Sequence, residues 1–228
     1  MICARAVDHR PAVAAQRREK MRARLVEAAV LVIAAKGMDH VVIEDVIAAA
    51  GVSRGTFYNH FPAVPDLMQA AKDALGNELL LMVLEETAAI ADPADSCARA
   101  LLLALATSAA YPLLARFSAQ IGMHFLSPGN LVADLVPPLL IRGMEEGRFC
   151  RMSVPLALEA LTMVFMSALR RQAQDAVLPA SEVVAALLRL LGVAPDEAAA
   201  LAAQPVEALR PAPDGLIARS DAVLRGAA

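Results

Sequence analysis

Residues 43–61 read Ile43-Glu44-Asp45-Val46-Ile47-Ala48-Ala49-Ala50-Gly51-Val52-Ser53-Arg54-Gly55-Thr56-Phe57-Tyr58-Asn59-His60-Phe61. The pattern is that of two short helices joined by a tight turn. Ile43, Val46, Ile47 and Ala50 recur at helical spacing, so the first helix can bury one face. Gly51 follows as the residue that tolerates a left-handed conformation at a helix end. Val52 fills the corner, and the Ser53 hydroxyl suits an N-cap, where it accepts a bond from a free backbone N–H. In the second helix Phe57 and Phe61, four apart, anchor the buried side. Arg54, Gly55, Thr56, Tyr58, Asn59 and His60 are left facing out. A helix that offers guanidinium, hydroxyl, amide and imidazole groups near its start suits the major groove of DNA. The same spacing also fits an ordinary helical hairpin whose polar face is merely solvated.

Charge separates these readings further. The chain of 228 residues has a formal net charge of −3, which on its face is wrong for a nucleic-acid binder. Residues 1–62, however, hold nine Lys and Arg against six Asp and Glu, and residues 1–24 hold seven against two. Residues 63–228 hold twelve against eighteen. The basic charge is therefore concentrated beside the helical pair, where attraction to phosphates requires it. Upstream of the pair, residues 1–15 lack periodicity and read as a loose arm. A helix is expected from Gln16, with Met21, Leu25, Ala28, Val32 and Ala35 on one face and Gly37 at its end. Arg17, Arg18, Lys20, Arg22 and Arg24 crowd its first turns, which the helix dipole disfavours. Contact with a polyanion offsets that cost; a solvated charge run is the plainer alternative.

The quoted segment resembles, nearly residue for residue, the recognition motif of TetR-type transcriptional regulators, whose pattern runs Ile-Ala-x-x-Ala-Gly-Val-Ser-x-Gly-Thr-x-Tyr-x-x-Phe. The run from Ala50 through Phe61 matches it almost throughout. The resemblance implies an all-α protein: a three-helix DNA-binding head over residues 16–64, then a helical effector-binding and dimerisation domain over residues 65–204. It implies that Ser53, Arg54, Gly55, Thr56, Tyr58, Asn59 and His60 meet DNA, with Arg17, Arg18, Lys20 and Arg22 near the backbone phosphates. It further implies a homodimer joined by C-terminal helices, a (pseudo)palindromic double-stranded operator, and a small, often hydrophobic effector. Two positions depart from the pattern. Val42 stands where a Thr usually caps the second helix, a loss of about 1 kcal/mol locally. Val64 stands where a Lys commonly grips a phosphate, which lowers the salt-dependence slope by about one unit.

Downstream, Pro62 and Pro65 separate the head from a long helix carrying Leu67, Ala71, Leu75, Leu79 and Val83 as a stripe. Apolar helical segments follow near residues 95–110, 112–126, 131–146, 155–172 and 181–191, with a last turn at 195–203. Breakers at Pro112, Pro128-Gly129, Gly147, Pro155 and Pro179 divide them. Residues 205–228, with Pro211, Pro213 and Gly215, are expected to lack stable packing. No segment alternates with period two, so no sheet is expected. Residues 100–106 and 161–169 are apolar round most of the helix, and such helices need burial on all sides or a partner chain.

Met123, His124, Phe125, Met144, Met163, Phe165 and Met166 offer soft apolar surface for an effector, and Thr107 and Tyr111 offer polar tips. Core filling is the plainer role for each. Cys3, Cys97 and Cys150 have no ligand-like spacing, so neither metal nor cofactor is expected, and a reducing cytoplasm is the natural setting. There is no signal-peptide pattern, and the apolar run at 100–115 is interrupted by Thr107, Ser108, Tyr111 and Pro112, so no membrane span is expected. Catalysis is not expected: there is no glycine-rich phosphate loop and no nucleophile elbow, and the adjacent Glu145 and Glu146 point to different helix sides. Two functions remain. One is a dimeric repressor released by an effector; the other is an architectural or activating DNA-binding protein without one.

Overall fold

Among the described residues, helical periodicity and well-placed breakers produce eleven α-helices and no strand. The structure is a computed structural model that describes residues 10–121 and 130–226. The helices are α1 (Arg10–Lys36), α2 (Ile43–Ala50), α3 (Arg54–Tyr58), α4 (Val64–Thr87), α5 (Pro93–Ala110) and α6 (Pro112–Ile121). They continue with α7 (Val132–Glu145), α8 (Val154–Ala173), α9 (Ala180–Leu190), α10 (Pro195–Ala202) and α11 (Leu216–Gly226). A single 3-10 turn, Met38–His40, links α1 to α2. α1 begins at Arg10 instead of Gln16, so part of the expected loose arm is helical.

Two main cores form. The first gathers Leu25, Ala29 and Ile33 of α1, Val46 of α2, Phe57 of α3, Leu67, Ala71 and Leu75 of α4, Leu113 and Phe117 of α6, and Ile217 of α11. The second joins α5, α7, α8, α9 and α10 around Ala98, Leu140, Leu161, Val184, Leu187 and Leu191. α5 touches α4, α6, α7, α8, α9 and α10. That central position explains why its sequence can be apolar on nearly every side. α5 and α6 meet at 107°, broken at Tyr111-Pro112, and no single helix among the described residues is long and apolar enough to cross a membrane.

The C-terminal segment corrects the expectation of a weakly packed tail. Pro211, Pro213 and Gly215 lead the chain back to α4, where α11 docks with Leu216, Ile217, Ser220 and Asp221 buried. The Glu78 carboxylate receives its first turn: Leu216 N–H donates to Oε2 at 2.8 Å and Ile217 N–H at 3.3 Å. Arg219 pairs with Glu27 of α1 at 3.0 Å, and the Leu113 N–H opening α6 donates to Asp221 at 3.3 Å. An acidic side chain on α4 thus supplies the acceptor that the α11 sequence itself lacks.

Candidate functional site

Local chemistry builds the helix-turn-helix as the residues require. Gly51 ends α2 in the left-handed region, at φ 60° and ψ 45°. Its N–H donates to the Ala48 carbonyl at 3.2 Å, and the Val52 N–H donates to Ile47 at 3.0 Å. Ser53 caps α3: its Oγ accepts from the Thr56 N–H at 3.1 Å and lies 2.9 Å from Thr56 Oγ1. Phe57 is wholly buried and meets the Tyr58 ring edge-on at 5.3 Å. Val42 makes no side-chain cap, yet its N–H reaches the Asp45 carboxylate at 3.4 Å, so half of a capping box survives. Lys36 lies 2.5 Å from Asp45 and holds that carboxyl below the usual range.

Ser53, Arg54, Gly55, Tyr58 and Asn59 are exposed, while Thr56 and His60 are half-buried. His60 Nδ1 is shielded from solvent and makes no hydrogen bond. Arg17, Arg18, Lys20 and Arg22 are exposed on α1. The Arg22 guanidinium rests 5.1 Å from the centre of the Phe61 ring, which draws the basic helix against the end of the helix-turn-helix. Two features escaped the sequence. Arg24 reaches Gly51, where a Cβ would lie 3.0 Å from its Nη2. Arg54 is ion-paired with Glu44 of α2, so its guanidinium is already held by a carboxylate. The i to i+10 spacing of Glu44 and Arg54 across a turn has no simple periodic signal. Val64, at the position of the family's usual Lys, is half-buried against the first core.

The body holds a cavity of about 190 Å³ bounded by α4, α5, α6, α7 and α8. One stripe of α4 lines it, from Lys72 through Leu75, Leu79 and Val83 to Thr87, with Phe117, Leu161 and Phe165 among the facing residues. Of the expected effector residues, Phe165 lines the cavity. Thr107 instead is fully buried, donating to the Leu103 carbonyl at 2.7 Å and accepting from the Leu209 N–H at 3.0 Å. Tyr111 packs on the first core and Met144 on the second, and Met166 is buried within the second. Met163 is 47% exposed on the outer side of α8. Successive helix positions turn by roughly 100°, so Phe165 can face inward while Met163 and Met166 do not. Met123, His124 and Phe125 lie outside the described residues.

Lys72 is the residue that sequence reasoning passed over. Its side chain is buried, with Nζ 3.0 Å from Gln69 Oε1 and 3.8 Å from Asp73 Oδ1. Burial lowers its pKa from the ordinary lysine value, and the Asp73 carboxylate opposes that shift. A charged residue inside an otherwise apolar helix stripe is the signal that could have found it. Cys97, also lining the cavity, has its thiol pushed up to about 12 by burial, which leaves it protonated and a poor nucleophile. Cys150 is exposed and unpaired. No grouping of three or more metal-ligating side chains occurs among the described residues.

These elements define an all-helical protein with an N-terminal helix-turn-helix head and a helical C-terminal domain. Residues 25–71 match the family described as bacterial regulatory proteins, tetR family, and the chain thus carries the head and fold of TetR-family transcription regulators. The resemblance drawn from Ala50 through Phe61 holds. Among solved structures, RolR in complex with the ligand resorcinol is similar at 27% identity, covering 87% of this chain and all of that one, with a TM-score of 0.58. The fatty acid degradation regulator FadR from Bacillus halodurans shares the fold at 20% identity, covering 74% of this chain and 96% of that one, with a TM-score of 0.58. An ArpA-like gamma-butyrolactone receptor shares it at 15% identity, covering 91% and 98%, with a TM-score of 0.52. No curated protein matches the sequence.

Proposed function

We propose that the protein is a dimeric, sequence-specific DNA-binding repressor that leaves its operator when a small apolar effector enters the cavity. It acts by binding and not by turnover. α3 enters the major groove, with Arg54 reading base edges and Tyr58 and His60 holding phosphates. Arg17, Arg18, Lys20 and Arg22 add backbone contacts.

One observation carries this reading: a single helix, α4, contributes Leu67 and Ala71 to the head's core and Lys72 to Thr87 to the cavity wall. A ligand that prefers one setting of α4 therefore biases the setting of the head by its differential affinity. Dimerisation is supported by exposed apolar side chains on and around α8 and α9, among them Leu156, Met163, Val164, Leu178 and Leu190. Two heads set about 34–36 Å apart reach successive major grooves, and a small change in that spacing prevents simultaneous docking.

Selection of bound fragments from random duplex DNA tests the proposal, followed by titration of a chemically diverse metabolite library against the selected duplex. A palindromic site with two half-sites, released by some library member, is the expected result. A palindrome that no compound releases favours the architectural reading. Absence of any preferred duplex at low salt overturns the DNA-reading role.

A further inference from the structure

Ser96 of α5, Ser118 of α6 and Thr162 of α8 line the cavity from three of its walls, and none of them makes a side-chain hydrogen bond among the described residues. Ser96 is buried, and Ser118 and Thr162 are half-buried. The Thr87 hydroxyl differs, being donated to the Val83 carbonyl at 2.9 Å. A serine or threonine hydroxyl both donates and accepts, so each of the three can serve an alcohol or a carbonyl. The rest of the wall is largely hydrocarbon, with Leu79, Val83, Phe117, Leu161 and Phe165 among its residues. Available charge is missing from it. Lys72, the one charged side chain among the described lining residues, has no accessible surface. Its ammonium is engaged by Gln69 at 3.0 Å, by Asp73 at 3.8 Å and by a further interaction. The Cys97 thiol, pushed up to about 12 by burial, stays neutral as well.

Such a wall sorts ligands by charge. An ion brought onto it gives up its water and meets no opposite charge, whereas an alcohol or carbonyl exchanges its bonds to water for bonds to the wall hydroxyls. The apolar surface contributes in proportion to the area it removes from water. Size narrows the class further. An apolar cavity of about 150 Å³ admits benzene, so the volume of about 190 Å³ here admits one ring with a short substituent. Resting on the effector reading above, we propose that the effector is an uncharged compound of single-ring bulk whose hydroxyl or carbonyl groups bond to Ser96, Ser118 and Thr162. Its apolar body packs on α4, the helix that also enters the head's core through Leu67 and Ala71.

Four probes on one ring test this: benzyl alcohol, toluene, benzoate and benzylammonium, titrated calorimetrically into the full chain at neutral pH. Benzyl alcohol should bind at least tenfold more tightly than either ion and severalfold more tightly than toluene. The triple substitution Ser96→Ala, Ser118→Ala and Thr162→Val should bring benzyl alcohol and toluene within about twofold of each other. Circular dichroism verifies folding, and the pair Ser118→Ala with Thr162→Val serves if the triple variant does not fold. Ala100→Phe, which fills the cavity, should abolish binding of all four, and Ala100→Leu serves if the Phe variant does not fold. An ion that binds as tightly as benzyl alcohol, both lost in the Ala100 variant, overturns the uncharged assignment and leaves the cavity as an effector site. Equal binding of benzyl alcohol and toluene by the native chain, or an advantage of the alcohol that survives the hydroxyl substitutions, overturns the role of the hydroxyls. Failure of all four probes to bind, or binding untouched by the Ala100 variant, overturns the cavity placement itself.

Discussion

Arg54 illustrates what a single side chain owes to its neighbours. Its number and type mark it as the base-reading candidate, yet the structure ties it to Glu44. Both side chains are 58% exposed, so the pair is worth little to stability and screens readily. Its effect falls on binding, because the guanidinium must leave Glu44 or share it on reaching a guanine. Arg54→Ala should relax sequence preference by about 1–3 kcal/mol if the contact is bidentate. Glu44→Gln should raise affinity for DNA of any sequence severalfold by removing a negative charge from the docking face. Fluorescence anisotropy with an operator and a scrambled duplex measures both, and equal loss on the two duplexes in Arg54→Ala would show that Arg54 holds phosphate instead of base. The exposure of Ser53, Arg54, Gly55, Tyr58 and Asn59 was legible because a four-residue aromatic pair leaves few choices for the other faces, whereas Thr56 and His60, expected to face out, are half-buried. Glu44 was not, because contacts across a turn depend on the angle between two helices, which periodicity does not carry.

Helix boundaries from α2 to α10 were largely readable from glycine, proline and capping side chains, since those act locally. α11 was not, and the reason lies outside its own sequence: Glu78 on α4 supplies the acceptor for its first turn. Prolines before it read as disorder but work as routing. Ile217, wholly buried in the first core, should cost about 2–5 kcal/mol when cut to Ala, read from denaturant unfolding. An unchanged midpoint would mean that α11 is detached in solution. A second long-range joint closes the other end of the body. Arg148 lies 2.6 Å from Asp92, the N-cap of α5, and 2.5 Å from Glu197 of α10. The Arg148 guanidinium, its bond opposed by partial burial, holds the Asp92 carboxyl below its usual range. A depressed carboxyl stabilises the fold fully above its unfolded value near 3.9 and loses that contribution as pH falls through the lower folded value. The Tm difference between the native chain and Arg148→Met should therefore stay constant from pH 6 to 8 and shrink below about pH 4. A difference that persists at pH 2 to 3 would assign the effect of Arg148 to packing.

Charge and apolar surface are divided across the protein in a way that suits the proposed dimer. Residues 1–62 carry an excess of base and residues 63–228 an excess of acid, so in the proposed dimer the field would turn the heads toward DNA and the body away. If the five-residue α3 reads DNA as proposed, one copy contacts too few base pairs for specificity, and a two-fold pair doubles the contacts at no cost in head size. The proposed dimer has a candidate joining surface. Leu156 is 59% exposed, Met163 47% and Val164 38%, all on α8, and Met163 and Val164 line one surface pocket with the exposed Leu178 before α9. Exposed apolar groups grouped in this way mark association sites more often than isolated ones do. The double substitution Leu156→Glu with Met163→Glu should shift the protein from dimer to monomer in sedimentation velocity at micromolar concentration. Affinity for a two-half-site operator should fall at least tenfold, while binding to random duplex at low salt, set by the basic head alone, should change little. Both side chains point away from the second core, so the fold should persist in circular dichroism. If the variant remains dimeric with unchanged operator affinity, the heads are paired through another face, and the setting of α4 would have to reach the partner by a different route.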